Sequence, residues 1–183
     1  PQFTSGANFS AEENQTAIGT VTATDAEGDA VTFTISGTDL EITSAGVLTF
    51  ASAPDYETDT SFTATVTASD GTNSTTQDIT VNVTNVNDNS PQFTSGANFS
   101  AEENQTAIGT VTATDADGDT VSFTISGSEL QITSAGVLSF VSAPDYESKD
   151  TYTATVTASD GTNTTTQDIT VTITDVANET TVL

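Results

Sequence analysis

The chain contains no cysteine, methionine, tryptophan or histidine, and its single basic residue is Lys149. Each absence removes a class of chemistry. Without cysteine there is no disulfide to staple a small domain, no thiolate nucleophile and no zinc–thiolate site. Without histidine the usual general base and the commonest transition-metal ligand are missing. One base against 26 acids leaves a net charge of −25. That excludes nucleic acid as a partner, since phosphates are neutralised by many Lys and Arg, and disfavours adhesion to anionic lipid. No stretch approaches the roughly 18 apolar residues of a membrane-spanning helix, so this segment is not expected to insert into a membrane. No signal peptide opens the chain, and a start at Pro1 in mid-pattern reads as a segment of a longer protein.

What is present is repetition. Pro1 to Ala26 reappears letter for letter at Pro91 to Ala116, and about three-quarters of positions match across a 90-residue period. So long a period means whole tandem domains, because solenoid repeats run to about 20–50 residues. Two domains are expected, 1–90 (with the seam 85–90) and 91–183 (with a short C-terminal tail), each small enough to bury only a thin core. Within a copy, period-2 alternation dominates: Val31, Phe33 and Ile35; Phe62, Ala64, Val66 and Ala68; Ile79, Val81 and Val83. Threonine holds most of the outward places, as β-branched residues suit a half-exposed strand. Shorter strands are expected at Ile18 to Ala23, Leu40 to Thr43 and Val47 to Phe50, with a broken first strand at Gln2–Phe3 and Phe9–Ser10. Seven strands per copy and no helical stripe predict an all-β fold of two tandem seven-stranded immunoglobulin-like β-sandwiches.

Most acids cluster beside the strand ends. The first copy has Glu12-Glu13-Asn14, Asp25-Ala26-Glu27-Gly28-Asp29, Asp55-Tyr56-Glu57 and Asp70, and the second has Glu102-Glu103-Asn104, Asp115-Ala116-Asp117-Gly118-Asp119, Asp145-Tyr146-Glu147 and Asp160. If they lie on strands, residues two apart share a face, so Asp55 with Glu57, or Asp115 with Asp117, would aim two carboxylates at one point. Such pairs repel unless a cation sits between them, and Ca²⁺ suits them, taking 6–8 oxygens in flexible geometry. An acidic surface that aids solubility in a salty habitat is the other reading. Asp115 to Asp119 is no EF-hand loop: the twelfth position is Ser126, where a bidentate Glu is required. Paired carboxylates also serve glycosidases, but the chain lacks a tryptophan sugar platform, and no enzymatic activity is expected.

The order of these motifs resembles the cadherin repeat: Glu-Asn after the first strand, Asp-x-Asp after the second, Asp-x-Glu before the sixth, Ala-x-Asp at its end. The seam Asn85-Val86-Asn87-Asp88-Asn89-Ser90-Pro91, followed by Gln92-Phe93, is similar to the cadherin linker pattern DxNDNxPxF. The resemblance covers nearly the whole chain. It implies Ca²⁺ between successive domains, held by Glu13, Asp55 and Glu57 from the first copy. Asp88 would contribute its side chain, Asn87 and Asn89 side-chain or backbone oxygens, and the second copy Asp115, Asp117 and Asp160. Those seven carboxylates carry −7, close to the +6 of three Ca²⁺ ions. Outer metal sites would draw on Asp25, Glu27, Asp29 and Asp70 at one end and on Glu103, Asp145 and Glu147 at the other, with Asp119 as a further candidate. Three departures stand out: Asn85 replaces the linker's first Asp, the turn after Asp117 is short, and Asp175-Val176-Ala177-Asn178-Glu179 breaks the pattern.

The resemblance and composition together imply a calcium-stiffened extender from an exported cell-surface adhesin, extracellular, whose partners are neighbouring repeats of the same chain. The alternative is an adhesive or self-assembling module that binds itself or surface glycans, or a subunit of an extracellular filament. Adhesion by exchange of a Trp-anchored strand is not available to a chain without Trp. Eight N-x-S/T sequons occur, among them Asn8, Asn73, Asn163 and Asn178, a number that an Asn- and Thr-rich chain reaches by chance as readily as by selection for glycans.

Overall fold

The computed structural model describes residues 1–177; the sequon at Asn178 and the tail from Thr180 lie outside them. Two compact units divide between Val86 and Asn87, so the linker residues Asn87 to Ser90, expected from the repeat to belong to the first unit, cluster with the second. No helix occurs among the described residues.

The first unit is built from β1 (Gln2–Phe3), β2 (Asn8–Glu12), β3 (Ala17–Thr20), β4 (Ala23–Thr24), β5 (Thr32–Ile35), β6 (Leu40–Ile42), β7 (Val47–Phe50), β8 (Ser61–Ser69) and β9 (Ser74–Thr84). The second unit repeats them as β10 (Gln92–Phe93), β11 (Asn98–Glu102), β12 (Ala107–Thr110), β13 (Ala113–Thr114), β14 (Ser122–Ile125), β15 (Leu130–Ile132), β16 (Val137–Phe140), β17 (Thr151–Ser159) and β18 (Thr164–Thr174). Seven strands become nine segments because the first two are each broken and change partners. β1 pairs with β4, whereas β2 runs parallel to β9 and β3 pairs with β7. The second strand carries a bulge between Ala17 and Gly19 and breaks at Val21–Thr22, where the Thr22 carbonyl turns to accept the N–H groups of Thr4 and Ser5.

The two sheets, β2-β9-β8-β5 and β3-β7-β6, enclose the core. Alternation works as expected: Ile79, Val81 and Val83 of β9 and Val66 and Ala68 of β8 are buried, while Asn82 and Thr84 face water. Phe50 and Phe62 meet edge to face at 5.3 Å, and Phe140 and Tyr152 repeat the contact at 5.1 Å, a geometry that satisfies the ring quadrupoles. Each unit has its own core. Gly46, at φ +89°, brings the β6–β7 turn so close to the second strand that a Cβ would sit 2.2 Å from the Val21 carbonyl oxygen. That turn donates no side chain and instead accepts the Val21 N–H at 2.8 Å. The strand ends thereby converge on loops that carry the acids.

Candidate metal centres at the strand ends

At one end of the first unit, Asp25 and Asp70 are almost wholly enclosed, their side chains 6% and 3% exposed. Each follows the end of a strand and caps the turn that comes next. Asp25 Oδ1 accepts the Glu27 N–H at 2.9 Å, and Asp70 Oδ1 accepts those of Thr72 and Asn73 at 2.7 and 2.6 Å. The N–H groups of Asn73 and Thr72 hold the Asp70 carboxyl below the ordinary aspartate range, against the opposing effect of burial. Their other oxygens lie beside Pro1, whose nitrogen is 3.2 Å from Asp25 Oδ2 and 3.9 Å from Asp70 Oδ2. Asp25, Glu27 and Asp29 each bring an oxygen within 4.8 Å of the others'.

The same turns recur in the second unit. Asp115 Oδ1 accepts the Asp117 N–H at 3.0 Å, and Asp160 Oδ1 accepts those of Thr162 and Asn163 at 2.7 and 2.6 Å. Asp160 is held below the ordinary aspartate range: burial works against its charge, but the Asn163 and Thr162 N–H groups and the Asn163 and Asn87 side chains outweigh it. Asp115 Oδ2 and Asp160 Oδ2 are both buried and have no hydrogen-bond partner. A buried, unpaired carboxylate oxygen is costly, and a bound cation would satisfy both.

The linker folds onto this end. Asp117 Oδ2 accepts the N–H groups of Asp88 and Asn89 at 3.1 and 2.9 Å, and its Oδ1 accepts from Asn89 Nδ2 at 3.1 Å. Asn87 Nδ2 donates to Asp119 Oδ2 at 2.6 Å, and Asp115, Asp117 and Asp119 offer oxygens within 4.8 Å of one another. Asp119 therefore joins the group despite the short turn. Asn163, read in the sequence only as a sequon, donates from Nδ2 to Asn87 Oδ1 at 2.7 Å and to the Asn89 carbonyl at 3.0 Å. Its place three residues after Asp160, within the same turn, is the one sequence signal that could have found it.

The opposite end of the first unit is organised by Glu13, 3% exposed. Asn14 adopts φ +61°, a left-handed conformation that asparagine tolerates, and donates its N–H to the Pro54 carbonyl at 3.0 Å. That turn seats the Glu13 carboxylate against the loop before β8. Its Oε2 accepts the Tyr56 N–H and its Oε1 the Val86 N–H, both at 2.8 Å. Asp55 Oδ1 accepts the Glu57 N–H at 3.0 Å and Oδ2 the Thr58 hydroxyl at 3.1 Å. Asp55 and Glu57 thus lie in a turn, as do Asp115 and Asp117 beyond β13. The strand-face argument for these pairs is corrected: the carboxylate of the first residue captures the N–H of the third in an Asx-type turn, and only Asp115 and Asp117 are seen to bring their carboxylates together.

In the second unit Glu103, 2% exposed, likewise accepts from the Tyr146 and Val176 N–H groups, each at 2.9 Å. Asp145 caps its turn through the Glu147 N–H at 3.1 Å and the Ser148 hydroxyl at 2.8 Å, and the Ser148 hydroxyl leads in holding its carboxyl low. Asp175, the counterpart of Asn85, brings an oxygen within 4.8 Å of those of Glu103 and Glu147. Glu147 is pushed up: a backbone hydrogen bond favours its charge, but burial, the charges of Glu103 and Asp175 and the bond to Asp145 together outweigh it. Asp175 is legible in the sequence only as the first letter of the linker pattern, and the broken remainder of that pattern obscures it.

A family model described as a bacterial Ig domain matches residues 87–174, the second unit with its linker. Human protocadherin-15 is 35% identical over 155 residues, 76% of this chain, and the chain spans 8% of that protein's length. Human protocadherin Fat 4 is 35% identical over 129 residues, 63% of the chain, which spans 3% of its length. Among solved structures, the EC1-2 segment of human protocadherin-24 shares the fold with a TM-score of 0.81 and 21% identity, over 96% of this chain and 97% of that one. Mouse cadherin-23 EC22-24 is similar with a TM-score of 0.78 and 25% identity, over 96% of this chain and 66% of that one. The strand order, the repeated acid motifs and these likenesses agree: the chain is a pair of tandem cadherin-like repeats.

Proposed function

We propose that the chain is a calcium-stiffened extender of an extracellular cell-surface adhesin, with Ca²⁺ held at the junction of the repeats by Glu13, Asp55 and Glu57 of the first and by Asp88, Asp115, Asp117 and Asp160 of the second, with Asn87 and Asn89. The observation that carries this reading is the pair of buried oxygens, Asp115 Oδ2 and Asp160 Oδ2, that no donor satisfies. The donor set fits Ca²⁺: it is all oxygen, and Ca²⁺ accepts irregular geometry with many ligands. When bound, the ion supplies the positive charge that lets like-charged carboxylates converge. Asp119 extends the ligand set, and Glu103, Glu147 and Asp175 form a second candidate group. The extender is read as non-catalytic, consistent with the lack of His and Cys.

Calorimetric titration tests the reading. Ca²⁺ is expected to bind with dissociation constants of about 10⁻⁴–10⁻³ M, as in extracellular modules, and Mg²⁺ to compete poorly because it demands compact octahedral geometry. Asp160→Asn and Asp115→Asn should each weaken binding with little change in the fold. A flat titration at low ionic strength would overturn the proposal.

A further inference from the structure

Two clamps hold the connecting segment, one at each of its ends. Upstream, the Val86 N–H is donated to Glu13 Oε1 of the first unit at 2.8 Å. Downstream, Asn87 is held by its side chain, with Nδ2 on Asp119 and Oδ1 receiving Asn163 Nδ2. The Asp88 and Asn89 N–H groups are spent on Asp117, and the Asn89 carbonyl receives the second hydrogen of Asn163. Every bond in the downstream clamp lies within the second unit.

From this asymmetry we infer that Asn163 is a positioning residue that fixes linker residues Asn87 to Asn89 onto the second unit without metal. A planar amide with two N–H donors is well shaped for this role. It reaches a side-chain oxygen and a main-chain oxygen two residues apart while its own backbone N–H caps Asp160. The linker is then a preassembled portion of the second repeat. The consequence for calcium rests on the proposed junction site: ligands already in place spare binding the cost of ordering them, so an ion held by Asn87 to Asn89 and the second unit would not have to order the linker.

The test uses the intact chain in chelator and in Ca²⁺. In chelator, backbone ¹⁵N order parameters for Asn87 to Asn89 are expected near those of a rigid backbone, about 0.85. Asn163→Ala should drop them below about 0.6 while leaving the chemical shifts of β17 and β18 in place. Asn163→Leu, of similar size but without donors, should behave alike, and either variant should weaken Ca²⁺ binding on the order of tenfold. A linker already mobile in the unsubstituted chain in chelator, or equally rigid in both variants, overturns the inference, as does an unchanged Ca²⁺ affinity. Absence of Ca²⁺ binding by the unsubstituted chain would defeat the junction-site reading instead, and the order parameters in chelator would still decide the role of Asn163.

Discussion

Glu13 and Glu103 are carboxylates that water scarcely reaches, yet each is satisfied by two backbone N–H groups from separate loops. Glu13→Gln would put an amide NH₂ against one of those donors and leave it unpaired, costing about 1–3 kcal/mol. For a domain of this size that is a drop of about 4–24 °C in the melting temperature of the first unit, measurable by calorimetry in chelator. Sequence order points to Glu13 as a ligand, but its structural role needs positions 56 and 86 to fold beside it, which no local pattern states. The titrating groups divide by sign. Asp70, Asp145 and Asp160 are held low, so the stability they lend is present above the ordinary aspartate value of 3.8 and lost as pH falls through their lowered values. Glu147 is pushed up from 4.5, so the fold binds its proton more tightly than the unfolded chain does and loses stability as pH rises through that window. Glu147→Gln is therefore expected to raise the melting temperature in chelator and to weaken Ca²⁺ binding at the Glu103, Glu147 and Asp175 group; a lower melting temperature in chelator would refute this.

The strands of each unit are largely legible in the sequence because hydrophobic alternation marks one buried face: Val31 to Ile35, Phe62 to Ala68 and Ile79 to Val83 all lie in or beside the strands expected of them. The breaks at Val21–Thr22 and before Asn8 are less so, since a change of partner depends on which carbonyl a distant N–H finds. For Asp55–Glu57 and Asp115–Asp117 the sequence picks out the acids but gives the wrong local geometry, because spacing alone cannot tell a strand from an Asx-type turn. Two substitutions test the elements. Gly46→Ala would meet the Val21 carbonyl and a left-handed φ together, costing at least about 1–3 kcal/mol from backbone strain, so the first unit should melt earlier than the second. The flank of the second unit carries an ion pair, Lys149 Nζ to Glu129 at 2.8 Å, with the same ammonium 4.3 Å from the Tyr152 ring centroid. In the first unit those positions are Asp59, Asp39 and Phe62. Asp59→Lys should stabilise the first unit by about 0.2–1 kcal/mol, a small gain because the pair is half exposed, and salt should erase it.

For the whole molecule the proposed calcium linkage sets the scale: about 2.7 kcal/mol per site when free Ca²⁺ stands 100-fold above its dissociation constant. Chelation is expected to lower the melting temperature accordingly and to broaden the distance distribution in small-angle scattering, which millimolar Ca²⁺ should narrow. Asp117→Ala and Glu57→Ala should each reproduce the chelated profile, and superimposable profiles with and without Ca²⁺ would refute the stiffening role. The parallel pairing of β2 with β9, and of β11 with β18, has a consequence under load. Each ladder joins five residue pairs, Asn8 with Thr80 through Glu12 with Thr84 and Asn98 with Thr170 through Glu102 with Thr174. Tension entering at the start of a unit and leaving at its end pulls the two parallel strands past each other along their length. All the rungs of the ladder then resist at once, whereas in an antiparallel hairpin pulled from its open end they break in succession. The strand pair that closes each sandwich is thus also its brake against being drawn out by force, and Phe9→Pro, which removes an N–H donor from β2, should lower the force at which the first unit gives way in single-molecule pulling.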